Sequence, residues 1–449
     1  MLGLGASGMS MVRWLVNRGA DVRVADTRPA PPFMGQLRKE LPEVELRLGS
    51  FDERAFAGVE VVAISPGIPL GEPLVRRARD QGVPIVGDIE LFAQIRREYL
   101  HCKVIAITGS NGKSTVTEMV GAMCRAAGIR TALAGNIGTP VLNVVSDIDA
   151  GKRRAPDVFV LELSSFQLES TSSLNPEAAV VLNLSEDHMD RYENVPQYAQ
   201  AKARIFNGDG VQVLNRDDHL SRDMSIDGRC VFSFGSSNPV SNYEWGLREL
   251  DGETWLAQGS ENLIKASELG VTGTHNLCNA LAALALCRSI RLPYPKLLDG
   301  LRNFSGLPHR VQKIAEISGI SFYDDSKGTN VGATVAALNG MNERSVIILG
   351  GEGKGQDFSP LAPAVATKAR AVVLIGRDRK LIHQALEKAN IQIEHADDMG
   401  DAVRRAYRLA HSGDAVLLSP ACASFDMYRD YVQRAEMFAD EVTRLRGEG

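Results

Sequence analysis

Apolar residues along this chain fall in short runs separated by amphipathic stretches. Over residues 1–98 such runs occur at 21–26, 59–65 and 83–86, each followed by a helical or loop stretch, the rhythm of a parallel α/β sheet. The charged stretch Arg96-Arg-Glu-Tyr-Leu-His101 marks a boundary, and Val104-Ile-Ala-Ile-Thr108 then opens a second α/β unit with further buried runs at 157–163 and 178–184. Beyond about residue 210 the stretches at 231–235 and 254–257 are shorter and alternate, which predicts an antiparallel addition. An Ala/Leu-rich helix covers 276–286, Gly306-Leu-Pro-His-Arg310 marks the next boundary, and runs at 345–350, 371–376 and 415–419 restore the parallel rhythm. The predicted fold class is α/β, in three domains at 1–98, 99–302 and 303–449.

Length agrees, since 449 residues is about three domains at roughly 150 residues each. With 50 Lys plus Arg against 55 Asp plus Glu the net charge is −5, which gives no electrostatic reason to expect a nucleic-acid or anionic-membrane partner. The six cysteines form no C-x-x-C pair or metal-finger spacing, and no apolar run reaches 18 residues, so the expectation is a cytoplasmic protein, monomeric by default. The chain opens directly on Met1-Leu-Gly-Leu-Gly-Ala-Ser-Gly8, a strand-to-helix glycine turn with almost none of the strand that should precede it. A shortened start, and a first sheet lacking a central strand, are therefore expected.

The sharpest local signal is Thr108-Gly109-Ser110-Asn111-Gly112-Lys113-Ser114-Thr115, placed between an apolar strand and a helical pattern. Backbone N–H groups of such a loop and the helix N-terminus cradle phosphate oxygens; Lys113 adds charge, and Ser114 or Thr115 a hydroxyl for Mg²⁺. A strict Walker motif would have glycine at Ile107, so this is a variant. A lysine at a helix start has no structural rationale of its own, because the macrodipole disfavours it. Gly3-x-Gly5-x-x-Gly8 with Asp26 also satisfies the dinucleotide fingerprint, without separating NAD from another nucleotide-bearing ligand. Glu162 ends a strand, where a carboxylate commonly reaches the Mg²⁺ of a bound nucleotide, and His188 lies among carboxylates just past another. By sequence alone Lys202 reads as a solvated helix lysine.

Together with Gly135-Asn-Ile-Gly138, Glu162-Leu-Ser-Ser-Phe-Gln-Leu-Glu169, Asp187-His-Met-Asp-Arg191, Thr274-His-Asn276, Pro308-His-Arg310, Asp325-Ser-Lys-Gly-Thr329-Asn and Ser419-Pro-Ala-Cys-Ala-Ser424-Phe-Asp, the phosphate loop resembles the motif series of the Mur ligases. These are ATP-dependent amide-forming enzymes of peptidoglycan synthesis, and the last two stretches favour the branch that adds D-glutamate to UDP-N-acetylmuramoyl-L-alanine. The resemblance implies a Rossmann-like N-terminal domain for the UDP-substrate, a central P-loop ATPase-like domain for ATP, and a Rossmann-like C-terminal domain for the amino acid. It also implies an acyl-phosphate intermediate and two Mg²⁺ ions, one near Ser114 and Glu162, the other held by His188 and a carbamylated Lys202, with Lys113 neutralising phosphate charge. By the same matching, residues 109–115, Asn276, Arg310 and Asp325 contact ATP. Ala6, Ser7, Asp26, Thr27, Arg28, Gly67 and Asn136 take the UDP-substrate, and Thr329, Lys354, Ser424 and Tyr431 the D-glutamate. Phe425 and Tyr431 depart from the family pattern, which has an aliphatic residue and a phenylalanine there.

Overall fold

A computed structural model describes residues 1–96 and 101–448; the predicted boundary between 98 and 99 lies outside the described residues. Three sheets follow one another along the chain. In the first, Arg23–Asp26 pairs parallel with Glu45–Leu48, and Val62–Ala63 with Ile85–Val86. Leu2 joins the two pairs, bridging parallel to both Ala25 and Ile64. Four backbone hydrogen bonds, Leu2 N–H to Ala63, Gly3 N–H to Ala25, Ala25 N–H to Met1 and Ser65 N–H to Leu2, all at 2.8–2.9 Å, put residues 1–3 where the sequence predicts a missing central strand. Residues 1–3 thus form a stub at the position of the expected central strand, between ladders that are themselves only two to four residues long. Gly3 turns the chain at φ +86°, and a Cβ on Gly8 would sit 2.0 Å from the Gly3 carbonyl oxygen, so the first helix, Ala6–Asn17, packs directly on the turn.

The second sheet has nine strands in the order Glu261–Lys265, Glu253–Gln258, Glu244–Leu250, Val231–Phe234, Val211–Asn215, Ala178–Val181, Lys103–Thr108, Val158–Glu162, Thr131–Gly135. Only the Glu244–Leu250, Glu253–Gln258 and Glu261–Lys265 strands pair antiparallel. Val231–Phe234, predicted as part of the antiparallel addition, pairs parallel to both neighbours, because residues 216–230, including the helix His219–Arg222, form a crossover long enough to return the chain to the starting edge.

The third sheet orders Gln312–Ile317, Ile320–Asp324, Ala415–Leu418, Ser345–Gly350, Ala369–Ile375 and Gln392–His395, parallel apart from the first strand. Alternate residues enter separate cores, Ile347 and Leu349 on one face and Val346 and Ile348 on the other, which is why these strands are apolar throughout.

Contacts divide the chain into two compact units. One comprises Met1–Asn183, Pro196–Lys265 and Asn279–Arg302, the other Leu184–Val195, Ala266–Cys278 and Asn303–Gly449. Within the first unit the helix Asp88–Ile95 seats the first sheet against the second. Asp88 accepts from Gln167 Nε2 at 3.1 Å, Glu90 Oε2 accepts the N–H groups of Ser172 and Ser173 at 2.6 and 3.0 Å, and the rings of Phe92 and Phe159 lie 4.9 Å apart. Among the described residues no helix is long and apolar enough to cross a membrane.

Candidate active site

The phosphate loop joins the strand Lys103–Thr108 to the helix Lys113–Ala126. Gly112 caps the helix at φ +82°, and a Cβ there would meet Asn279 Oδ1 at 2.5 Å, so both backbone conformation and space demand glycine. Asn183 staples the loop: its carbonyl accepts from Ser110 N–H at 2.9 Å, its Oδ1 from Asn111 N–H at 2.8 Å, and its Nδ2 donates to Asn111 O at 3.1 Å. Lys113 Nζ folds back onto the carbonyls of Gly109 and Ser110 at 2.8 and 2.9 Å. Ser114 and Thr115 are buried at the helix start. The loop thus leads into a helix N-terminus with an ammonium folded beside it, the arrangement that phosphate-binding loops use.

Two groups in the same unit bear on metal chemistry. Glu162 ends its strand, buried, with Oε1 accepting from Asn136 Nδ2 at 2.9 Å, while Oε2 is buried with no hydrogen-bond partner among the described residues. An orphaned carboxylate oxygen is costly unless a cation or donor completes it. It therefore fits Mg²⁺, which takes one or two protein carboxylates and fills its shell with water and phosphate oxygens. Among the described residues no three His, Cys, Asp or Glu side chains gather as a metal cage. Lys202, read above as solvated, is 1% exposed. Its Nζ donates to Gly109 O at 3.0 Å and Thr108 Oγ1 at 3.3 Å and lies 4.6 Å over the Tyr198 ring. That earlier reading is corrected: the helix Val195–Ala203 turns this lysine into the core, under the phosphate loop.

The predicted uridine contacts gather at the carboxyl edge of the first sheet. Ser7 lies in the first turn of the helix Ala6–Asn17. Asp26 ends its strand and Gly67 follows the Val62–Ala63 strand. Asp26 is already engaged: Arg28 grips it through two side-chain hydrogen bonds at 2.6 and 2.9 Å, and Leu4 N–H donates to it at 2.6 Å. Burial pushes this carboxyl up, but the bonds from Arg28 and Leu4 outweigh it and hold the pKa at about 2. In the first unit Asn136 is tied to Glu162, and its backbone N–H donates to Glu162 O at 2.8 Å.

The second unit holds the remaining predicted residues. Lys354, at φ +54°, donates to Asp187 Oδ1 at 2.9 Å, and Asn330 Nδ2 donates to Asp187 Oδ2 at 3.2 Å. His188 lies beside Asp187, at 3.6 Å. Asp325 accepts from Ser419 Oγ at 2.6 Å and from Val311 N–H at 3.3 Å. Burial raises its pKa to about 7, against the Ser419 hydrogen bond and the Arg310 charge. Asn276 Nδ2 donates to Thr272 O at 2.8 Å. Thr329 N–H donates to Lys327 O at 2.9 Å, Ser424 is buried, and Phe425 beside it is 70% exposed. Ser114, Glu162 and Lys202 thus belong to the first unit and His188 to the second. Sequence reasoning missed Asn183, Tyr198 and Asn279. Asn279 sits one helical turn beyond Asn276, which was the available signal.

Three family models match consecutive parts of the chain: the MurD-like N-terminal domain of Mur ligases over residues 1–87, the Mur ligase middle domain over 107–287, and the Mur ligase glutamate ligase domain over 309–422. The chain belongs to the Mur ligase family. Among its relatives, the UDP-N-acetylmuramoylalanine–D-glutamate ligase of Methylobacillus flagellatus is 54% identical over 446 residues, covering 99% of this chain and 96% of that one. The protein of the same name from Thiobacillus denitrificans is 56% identical over 457 residues, with the same coverage. Among solved structures, the UDP-N-acetylmuramate-alanine ligase MurC of Thermotoga maritima superposes with a TM-score of 0.62 at 19% identity, covering 99% of this chain and 98% of that one. A pseudomurein peptide ligase of Methanothermus fervidus gives 0.61 at 19%, covering 99% of both. These likenesses establish the three-domain Mur ligase architecture as the fold.

Proposed function

We propose that this Mur ligase adds D-glutamate to UDP-N-acetylmuramoyl-L-alanine, forming an amide with release of ADP and phosphate. The observation that carries the reading is full-length identity above half to ligases of that name, on a chain that has a glycine-capped phosphate loop. A carboxylate does not yield an amide directly, because O⁻ is a very poor leaving group. Transfer of the ATP γ-phosphoryl to the alanine carboxylate makes an acyl phosphate, which the D-glutamate amine then attacks through a tetrahedral intermediate.

Residues 109–115 hold the ATP phosphates through backbone N–H groups, and Lys113 swings from the carbonyls of Gly109 and Ser110 onto phosphate oxygens, lowering the repulsion between two anions brought together. Asn276, Arg310 and Asp325 complete the nucleotide contacts. Mg²⁺ supplies Lewis-acid charge neutralisation when bound. Ser114 and Glu162 would hold one ion, and His188 with Lys202 a second, the Lys202 ammonium having lost one proton to become an amine and a second on adding CO₂ at Nζ, so that it presents oxygen rather than a cation. Ala6, Ser7, Asp26, Thr27, Arg28, Gly67 and Asn136 receive the UDP-substrate, and Thr329, Lys354, Ser424 and Tyr431 the D-glutamate. Domains at 1–98, 99–302 and 303–449 would then correspond to three ligands, in a cytoplasmic monomer with no nucleic-acid or membrane partner.

The test is ADP release measured with each substrate withheld in turn. Dependence on both UDP-N-acetylmuramoyl-L-alanine and D-glutamate is expected; turnover with a different amino acid, and none with D-glutamate, would overturn the assignment.

A further inference from the structure

The Asn183 side chain grips a single residue of the phosphate loop from both sides. Its Oδ1 accepts the Asn111 N–H at 2.8 Å and its Nδ2 donates to the Asn111 carbonyl at 3.1 Å, while its main-chain carbonyl accepts the Ser110 N–H at 2.9 Å. The N–H of Asn111 belongs to the peptide plane before that residue and its carbonyl to the plane after it, so one planar amide fixes both. From there the chain enters Gly112, at φ +82°, and the helix Lys113–Ala126. The first turn of a helix has N–H groups with no carbonyl of its own helix to bond, and where they point follows from the two planes that Asn183 holds.

Asn183 is itself held. It lies two residues beyond the end of the strand Ala178–Val181, and Leu182 before it donates its N–H to the Thr108 carbonyl at 2.9 Å and accepts at its own carbonyl from Asn215 Nδ2 at 2.8 Å. A Cβ on Gly109 would come within 3.0 Å of the Leu182 side chain, so residues 182 and 183 also form a wall against the loop. Asn215 ends the neighbouring strand Val211–Asn215, and its N–H donates to Ser221 Oγ at 3.1 Å. A series of hydrogen bonds thus runs from that strand through residues 182 and 183 to the loop, all within the first unit. The pairing with Asn111 calls for an acceptor and a donor on one planar group, which a side-chain amide offers and an ionised carboxylate, an acceptor only, does not.

We propose that Asn183 is a positioning residue for nucleotide binding, its side-chain amide preorganising the phosphate loop so that the turn at Gly112 presents the helix start to the ATP phosphates. The proposal rests on the reading of residues 109–115 as the ATP loop. A loop held in place before the ligand arrives gives up less conformational freedom on binding, so the staple acts on the affinity for ATP and leaves the other two substrates alone. Bound ATP orders the loop through its own phosphate contacts, and turnover at saturating ATP therefore depends little on Asn183.

Two variants of the full-length enzyme test this. Asn183→Ala removes both the donor and the acceptor; Asn183→Asp keeps the shape and the acceptor but sets a carboxylate oxygen against the Asn111 carbonyl. Calorimetry with a non-hydrolysable ATP analogue and Mg²⁺ reads Kd, and steady-state ADP release reads KM and kcat. In Asn183→Ala the analogue Kd and the ATP KM should rise by about tenfold, the size of two neutral hydrogen bonds. Asn183→Asp should weaken ATP further, because repulsion is added to the loss. At saturating ATP, kcat and the KM values for the UDP-substrate and D-glutamate should stay within about threefold of wild type. An analogue Kd within about twofold of wild type in either variant, shown by thermal unfolding to be folded, would overturn the proposal. A rise shared by the KM values of all three substrates would do the same, as would a loss confined to kcat. Should Asn183→Ala not fold, Asn183→Asp decides alone. If the wild-type enzyme does not bind the analogue, the nucleotide reading of the loop fails first, and that outcome is distinct from wild-type binding that both variants retain.

Discussion

Lys354 Nζ donates to Asp187 Oδ1 at 2.9 Å across 167 residues of sequence. The ammonium proposed to receive D-glutamate is thus already seated on a carboxylate, itself steadied by Asn330. Exchange of one carboxylate for another costs Lys354 little electrostatically but requires Asp187 to give it up. Asp187→Asn is expected to tighten D-glutamate binding a fewfold, and Lys354→Met to weaken it by about tenfold or more. Titration calorimetry with a non-hydrolysable ATP analogue and the UDP-substrate present reads both; weaker binding in Asp187→Asn would show that Asp187 aims Lys354 instead of competing for it.

Lys202 leads to a second expectation. A buried ammonium under the loop opposes cation binding, and the proposed carbamylation would remove that opposition. Enzyme desalted into CO₂-free buffer should lose activity and regain it with bicarbonate, while Lys202→Ala should be slower by roughly a hundredfold or more and indifferent to bicarbonate. Turnover of Lys202→Ala at the wild-type rate would remove the residue from the metal site.

Glu162→Gln replaces the orphaned Oε2 or its partner oxygen with an amide that cannot complete a divalent cation. The Mg²⁺ concentration for half-maximal ADP release should rise by an order of magnitude or more, roughly the loss of one charged ligand. An unchanged Mg²⁺ titration would mean that Glu162 serves only to hold Asn136.

Two buried carboxylates make opposite predictions about pH. Asp26, held at about 2 from an ordinary 3.8, contributes stability that is present above its unfolded pKa and is lost as pH falls from about 4 through about 2. The shift corresponds to about 2 kcal/mol, so Asp26→Asn should lower the unfolding midpoint at pH 7 and matter little near pH 2. Asp325, raised to about 7 by burial, binds its proton more tightly when folded. Its contribution is full below about pH 4 and is lost as pH rises through about 7. Asp325→Asn should therefore help stability more at pH 8 than at pH 5, while weakening ATP binding at both. Thermal unfolding across pH separates the two residues.

Which parts of this site could be read along the chain follows from how far apart the partners lie. The phosphate loop was legible because strand, glycines, lysine and helix are consecutive, and the parallel strands of the third sheet because burial on both faces leaves unbroken apolar runs. Lys202 was not, because what buries it is Gly109, 93 residues away, and its own helix has no strong apolar stripe to set the phase. Asn183 is likewise defined by the loop it staples and not by its neighbours. The direction of Val231–Phe234 was misjudged because alternation reports a half-buried strand but not which way its partner runs. The uridine edge and the proposed D-glutamate residues depended on family resemblance, since isolated Ser, Thr and Tyr residues carry no spacing signal.

The helix Asp88–Ile95 has one last consequence. By seating the first sheet against the second through Gln167, Ser172, Ser173 and Phe159, it sets the separation between the glycine turn at Ser7 and the phosphate loop at Gly112 as a property of a single compact unit. On the proposed binding mode, a UDP-substrate spanning those two points would be selected by its length, as on a ruler, so that a precursor one residue longer or shorter would present its reacting carboxyl out of register even with every contact at its nucleotide end intact.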